Sequence, residues 1–448
     1  MLSSNDAQDR AQALVERARR TGADAADAVF VAEASESVSV RLGKLEDVER
    51  SEGERIGLRA FVGHRSATVS TSDFTDAALD ELASRAVAMA RAAPEDRFAG
   101  LAPDALLARG SLPDLDMTDA EEPSPESLRG AAMEAEDAAR GVSGVTNSEG
   151  AGAGFGRGVF ALATSHGFVG GYASSSHSLS AAVLGGAGSD MQRDYEYRSA
   201  RYRGDLPSAA EIGRRAGERA VARLNPGRLT SGPRPVVFDP RVSGGLIGHL
   251  IGAMSGGAIA RRASFLLDRL DQQLFAPEIV ITEDPLRHRG LRSRPFDGEG
   301  LPTAKRNLVE NGHVTGWLMD SAAARQLNAA PTGHAARGTS GPPGVSTGNV
   351  HLAAGSVSPA ELIADIADGV YVTELIGQGV NGVTGDYSRG ATGFAIRDGA
   401  IAGPIAEFTI AGNLLAMFAA LTPADDLEWH RAINAPTVRV DGMTIAGD

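Results

Sequence analysis

VSVRLGKLEDVER, residues 38–50, and GLRAFVGHRSATVS, residues 57–70, decide the reading of the fold. Apolar and polar residues alternate along both, the period of a strand with one buried face. Gly43-Lys44 and Gly63-His64 break the alternation with turn chemistry. The spacing predicts an antiparallel meander from about Ala28 to Ser70. Before it, Ser4 or Asn5 can cap a helix running to Arg20, with Leu14, Val15 and Ala18 on one face and Gly22 as its stop. After it, a helix opens near Ser72-Asp73 and ends before Pro94. SLPDLDMTDAEEPSPES, residues 111–127, is a polar, Pro-rich loop, and a helix then runs to about Arg140. Residues 143–204 read as several short strands with Gly and Ser turns, followed by a helix ending near Leu224.

NPGRLTSGPRP, residues 225–235, concentrates proline and turn residues and marks a boundary. A chain of 448 residues with 42% hydrophobic content exceeds what one growing core accommodates. Two domains are expected, 1–225 and 226–448. The second carries a helix at about 241–256, hairpins at Asn311-Gly312 and Asp398-Gly399, and a last turn at Asp441-Gly442. Helices and strands do not alternate regularly. The expected class is α+β, with mainly antiparallel sheets, flanking helices and a β-rich C-terminal domain.

Composition excludes several functions. The net charge is −14 and Lys and Arg form no stripe, so nucleic acid is not an expected partner. There is no cysteine, which removes disulfides, thiolate ligands and Cys nucleophiles. No window approaches ~20 apolar residues, so no membrane span is expected. The polar N-terminus lacks an apolar signal core, and a cytoplasmic location is expected. No G-x-S-x-G elbow is placed between a strand and a helix, and the approximate G-x-G-x-x-G within 149–158 is followed by strand-like residues rather than a helix.

GGLIGHLIGAMSGGAIARR, residues 244–262, is the most informative stretch for function. On a helix, Leu246, Ile247, Leu250, Ile251 and Met254 form one face. Gly245, Gly248, Gly252 and Gly256 lie on the other side with His249. Interior glycines cost ~0.8–1 kcal/mol each relative to alanine, so four of them remove roughly 3 kcal/mol of helix stability. The physical use of a bare stripe is close approach of another backbone, either a strand of the same domain, the commoner case, or an extended peptide. A helical zinc site requires two histidines on one face with a glutamate base. No two of the nine histidines are spaced to form such a pair.

Long ordered stretches carry a family likeness: 244–270, PFDGEG at 295–300, PTGHA at 331–335, VTELIGQGVNGVTGDYSRGATGF at 372–394, and EFTIAGNL at 407–414. With GLRAFVGHRSATVSTSD near the N-terminus, they resemble the TldD/PmbA family over nearly the whole chain, and its PmbA (TldE) branch specifically. In that family the TldD branch is a zinc peptidase with an H-E-x-x-x-H motif and a cysteine as third ligand. Set on that motif, this sequence has Gly248 at the first ligand position, His249 at the base position and Ala253 at the second. The resemblance therefore implies a chain with no catalytic residues, metal ligands or cofactor of its own. It would pair with a TldD-type subunit that carries the zinc, and the complex would degrade unfolded or unstructured peptides. A homo-oligomer in the partner's absence is a further expectation. The branch also bears an older label, modulator of DNA gyrase.

Residues expected at a substrate or partner contact are Gly248, His249, Gly252, Gly256, His334, Asp386, Tyr387 and Arg389. Asp386, Tyr387 and Arg389 fall in TGDYSRG, residues 384–390, read as a loop. There Arg389 is either available to a carboxylate or paired locally with Asp386. His334 sits in the Gly/Pro-rich loop 331–349, either lining a cleft or, more commonly for such a residue, satisfied by neighbouring groups. ARRASFLLDRLDQQLF, residues 260–275, reads as a helix whose charges either meet a partner or pair on a solvated face. Two competing functions remain, a self-sufficient metallopeptidase with an atypical site on His249 and distant carboxylates, and a non-proteolytic regulatory scaffold.

Overall fold

The computed structural model describes residues 3–447; Met1, Leu2 and Asp448 lie outside it. Helix α1 (Ser4–Arg20) is capped by Ser3 rather than by Ser4 or Asn5, through a reciprocal capping box with Asp6, and buries Ala7, Ala11, Leu14, Val15 and Ala18. The expected meander follows as β1 (Ala25–Arg41), β2 (Lys44–Val62) and β3 (Arg65–Thr71). Its first turn holds Leu42 and Gly43 at positive φ, and the buried Glu136 carboxylate accepts both turn N–H groups, at 2.7 and 2.8 Å. Strands β4 (Val145–Thr164), β5 (Val169–Gly185) and β6 (Gln192–Ala200) complete one antiparallel sheet in the order β3-β2-β1-β4-β5-β6. Together with α1, helices α2 (Asp76–Ala92), α3 (Pro125–Arg140) and α4 (Ala209–Ala222) cover one face of it.

Residues 143–204 differ from expectation. They form three long strands, and most of their glycines are strand interior rather than turn. Gly152, Gly154 and Gly156 alternate along β4 and face Ser180, Ser178 and Ser176 of β5. A Cβ at Gly154 would lie 3.0 Å from the Ser178 hydroxyl. A period of two places such glycines on one face, where small side chains keep the sheet surface bare.

The C-terminal half is built on a closed barrel. Its strands are β7 (Gly232–Phe238), Asp368–Ile376, Asp386–Arg397, Ala400–Asn413 and Val438–Ala446. Thr409–Ala411 pair with Thr444–Ala446 to close it, so these strands have no long free edge. Only the pairing of β7 with Asp368–Ile376 is parallel within it. A smaller sheet centres on Ile281–Asp284 and Asn349–Leu352. The Asn311-Gly312 and Asp398-Gly399 hairpins form as read, all four residues having positive φ. Asp441-Gly442 is instead a bulge within Val438–Ala446, where the register against β7 slips. Residues 261–276 are turns rather than a helix: Arg262 takes a positive φ, and Phe265, Leu266, Leu274 and Phe275 enter the barrel core.

One buried carboxylate ties the halves together. Asp27 on β1 accepts from Arg59 Nε of β2 at 2.7 Å and from Arg337 Nε of the 331–349 loop at 3.1 Å. All three side chains are nearly inaccessible. Glu299 lies 4.0 Å from Arg59 and accepts from the Ser321 N–H at 2.8 Å. Burial pushes Glu299 up to about 7, against the pull of Arg59.

Removing one member of such a cluster strands the others' charge. Asp27→Ala is expected to destabilise the fold by about 3–5 kcal/mol, read by urea unfolding, with Asp27→Asn less harmful. Glu299 has the opposite sign. Its folded pKa exceeds its unfolded one, so its ionisation weakens the fold progressively between about pH 4.5 and 7. Glu299→Gln removes that penalty, so the variant should gain on the natural chain by about 3 kcal/mol from pH 5 to pH 8. A gain independent of pH would contradict the assignment.

Candidate functional site

Helix α5 (Pro240–Ala253) starts where Asp239 accepts the Arg241 N–H at 2.8 Å and Pro240 fills the first turn. Its apolar face is the one read from sequence, with Leu246, Ile247, Leu250 and Ala253 buried in the barrel core. The helix ends at Ala253 rather than near 256, and a separate short helix begins at Gly256.

The glycines divide into two groups. Gly244 and Gly256 are crowded from within: added Cβ atoms would sit 3.1 Å from the Ile433 carbonyl and 2.5 Å from Met319 Cγ respectively. Gly256 also donates to the Leu318 carbonyl at 2.7 Å. Gly245 and Gly252 are exposed, with nothing of the chain within 4 Å of an added Cβ, and Gly248 meets only the tip of Ile433, at 4.0 Å. Internal packing against a strand therefore does not account for this face. The bare side of α5 is open.

Beside it the structure gathers three of the other predicted residues. The His249 ring stands edge-on to Tyr387, with centroids 6.0 Å apart. Tyr387 and Arg389 are not in a loop. They belong to the strand Asp386–Arg397, whose period of two points both toward the interior while Asp386 and Ser388 face solvent. Asp386 and Arg389 consequently do not pair. Asp386 accepts from Thr384 at 2.6 Å and Asn413 at 3.2 Å, whereas Arg389 donates to the Leu375 carbonyl at 3.4 Å. The Tyr387 hydroxyl is buried without a hydrogen-bond partner, as is Arg389 Nε. Burial, together with the charge of Arg389, holds His249 below the ordinary histidine range, so it is neutral at pH 7. Burial raises Tyr387 to about 12. Ile376 and Val383 stand exposed on and near the connection into this strand. The arrangement is an uncharged donor–acceptor site with one cation behind it, at the edge of a bare helix face.

His334 is elsewhere. It is 1% exposed, with Nε2 2.6 Å from Glu283 and Nδ1 2.8 Å from Thr332. It lines no open cleft. Burial would raise Glu283, but the bond and charge of His334 and the Gly348 N–H hold it low. The pair fixes the loop that delivers Arg337.

Three profiles of the PmbA/TldA metallopeptidases match the chain: domain 1 at residues 26–90, the central domain at 118–224 and the C-terminal domain at 231–447. The chain is 37% identical to Metalloprotease PmbA of Escherichia coli O157:H7, over 92% of this chain and 90% of that protein. The chain belongs to the PmbA/TldD metallopeptidase family, in its PmbA (TldE) branch. It is also 37% identical to the Metalloprotease PmbA homolog of Haemophilus influenzae, over 97% of this chain and 94% of that one. The crystal structure of TldE from Thermococcus kodakarensis superposes with a TM-score of 0.87 at 21% identity, covering 99% of this chain and all of that one, a likeness of fold.

The family's metal can be tested against this chain's donors. On α5 the positions to which the resemblance would assign ligands are Gly248 and Ala253, neither of which has a donor side chain. Among the described residues no three His, Asp or Glu side chains are grouped to hold an ion. The residues at α5 do not fit zinc.

Sequence reading missed Ile433, which approaches Gly244 and Gly248, and the unpartnered Tyr387 hydroxyl. Both are set by segments distant in sequence, with no local signal. The open face makes a direct prediction. Gly252→Ala should stabilise the chain by up to ~1 kcal/mol, because it restores helix propensity without a clash. Gly256→Ala should destabilise it, since Met319 and the Leu318 carbonyl must yield. Equal effects in thermal unfolding would refute the distinction.

Proposed function

We propose that this chain is a non-catalytic subunit that completes the peptide cleft of a TldD-type zinc peptidase and presents unstructured peptides to it. The observation that carries this reading is the open glycine face of α5 beside His249 and the unpartnered Tyr387 hydroxyl. A helix face without side chains admits an extended backbone closely, and nearby donors and acceptors can satisfy peptide groups without reading their sequence. A buried hydroxyl left unpaired is costly, and a local shift on docking that brings a peptide carbonyl to it would relieve that cost. The chain supplies no zinc ligands at α5, so bond cleavage belongs to the partner, which brings the metal and its activated water. Assembly with that partner in the cytoplasm is part of the same proposal.

The decisive experiment mixes the purified chain with a TldD-type peptidase and measures molecular mass, bound zinc and cleavage of an unstructured fluorogenic peptide. Cleavage is expected from the mixture and not from this chain alone. Gly252→Leu, which fills open space, should preserve folding yet reduce assembly or cleavage by at least about tenfold. Stoichiometric zinc and cleavage by the chain alone would establish the self-sufficient peptidase instead. Full cleavage by the partner without this chain would favour the scaffold.

A further inference from the structure

A second cleft, of about 440 Å³, lies where residues 198–207 of the N-terminal half meet 287–291 and 428–431 of the C-terminal half. It shares no lining residue with the α5 site. Its charge is opposite to that of the chain. The protein carries −14 overall, yet five arginines and two histidines line this cleft against two carboxylates, Asp205 and Glu428.

Those carboxylates are already engaged. Glu428 pairs with Arg198 at 3.3 Å and Asp205 with Arg289 at 3.4 Å. Arg201, Arg287 and Arg431 have no carboxylate partner among the described residues. Arg201 gives one bond from each of its three nitrogens to the neutral carbonyls of Ser175, Gly290 and Leu291, which leaves N–H donors on both terminal nitrogens. Arg431 gives one bond to the Arg241 carbonyl at 2.6 Å, and its buried Nε gives none. Both ring nitrogens of His430 are buried without a hydrogen-bond partner, and Nδ1 lies 3.9 Å from the Glu428 carboxylate. Burial, with Arg198 and Arg431 beside it, pushes His430 down to about 4, so the ring is neutral at pH 7. At the rim, the Arg287 guanidinium lies 3.7 Å over the Trp429 ring, which is 41% exposed.

Buried polar groups are normally satisfied, and like charges in a shielded cleft repel. One anion answers both demands, because guanidinium forks match phosphate and carboxylate oxygens. We propose that this cleft binds a small organic anion, at least doubly charged through phosphate or carboxylate groups, held by Arg431, Arg201 and His430 under the Arg287–Trp429 stack. Its volume suits a small molecule, and the acidic remainder of the chain repels a long polyanion.

The test uses the full chain without partner and titrates it with pyrophosphate, citrate and uncharged trehalose. Calorimetry is read beside tryptophan fluorescence. Saturable binding at one site is expected for an anion and not for trehalose, and the tighter of the two anions identifies the group recognised. Arg287→Gln and Arg431→Gln should each weaken binding by at least about tenfold. Trp429→Phe should remove the fluorescence change while calorimetric binding persists. Arg287 is at the rim, so its variant keeps the test valid if Arg431→Gln does not fold. Absence of saturable binding by both anions, or affinity unchanged from the natural chain in both arginine variants, would overturn the proposal.

Discussion

The placement of Asp27 between two guanidinium groups is the constraint on which the rest of the structure depends. Arg59 comes from the adjacent strand, and Arg337 arrives from a loop more than three hundred residues away in the chain. A buried charge is tolerated only where its partners are held rigidly, and the structure supplies that rigidity on both sides. Asp297 accepts from the Ala335 N–H at 3.1 Å, while the pair of His334 and Glu283 anchors the same loop. Gly57 completes the fit, since any side chain there would collide with the Thr339 backbone. PFDGEG and PTGHA, two of the stretches that carry the family likeness, thus build this junction.

The barrel and α5 are governed by a different balance. Four glycines in and next to the helix oppose its formation by roughly 3 kcal/mol. Leu246, Ile247 and Leu250, fully buried, each contribute about 1.5–3 kcal/mol, so burial in the core outweighs propensity. The helix is stable because of what its inner face touches, which leaves its outer face free to be bare. Neutral His249 and Tyr387 keep this surface polar but uncharged, apart from Arg389 behind them.

Electrostatics divide the protein further. Three arginines without a carboxylate partner among the described residues, Arg201, Arg287 and Arg431, gather at one cleft in the seam between the halves of an acidic chain. The same seam is crossed by Arg241 to Asp194 at 2.8 Å and Arg223 to Glu374 at 2.8 Å. Where arginine and carboxylate match, the seam is closed; where arginine is in excess, it opens into a cleft.

Local chemistry determined much of this protein. The meander between Ala28 and Ser70, the capped first helix, the Asn311-Gly312 and Asp398-Gly399 hairpins and the apolar face of α5 all rest on contacts within a few residues, which alternation, caps and turn residues encode directly. That Gly248 and Ala253 carry no donor side chain is likewise a matter of residue identity alone. Only tertiary structure decided that glycines in β4 lie inside a strand, that Asp441-Gly442 is a bulge, and that Asp386–Gly390 is strand rather than loop. It alone decided that the glycine face of α5 is open, that His334 is buried, and that Arg201, Arg287 and Arg431 converge without a counter-charge. Each of these depends on which distant segment lies opposite, and pairing across a sheet or a seam between halves leaves no periodic trace in the segments it joins.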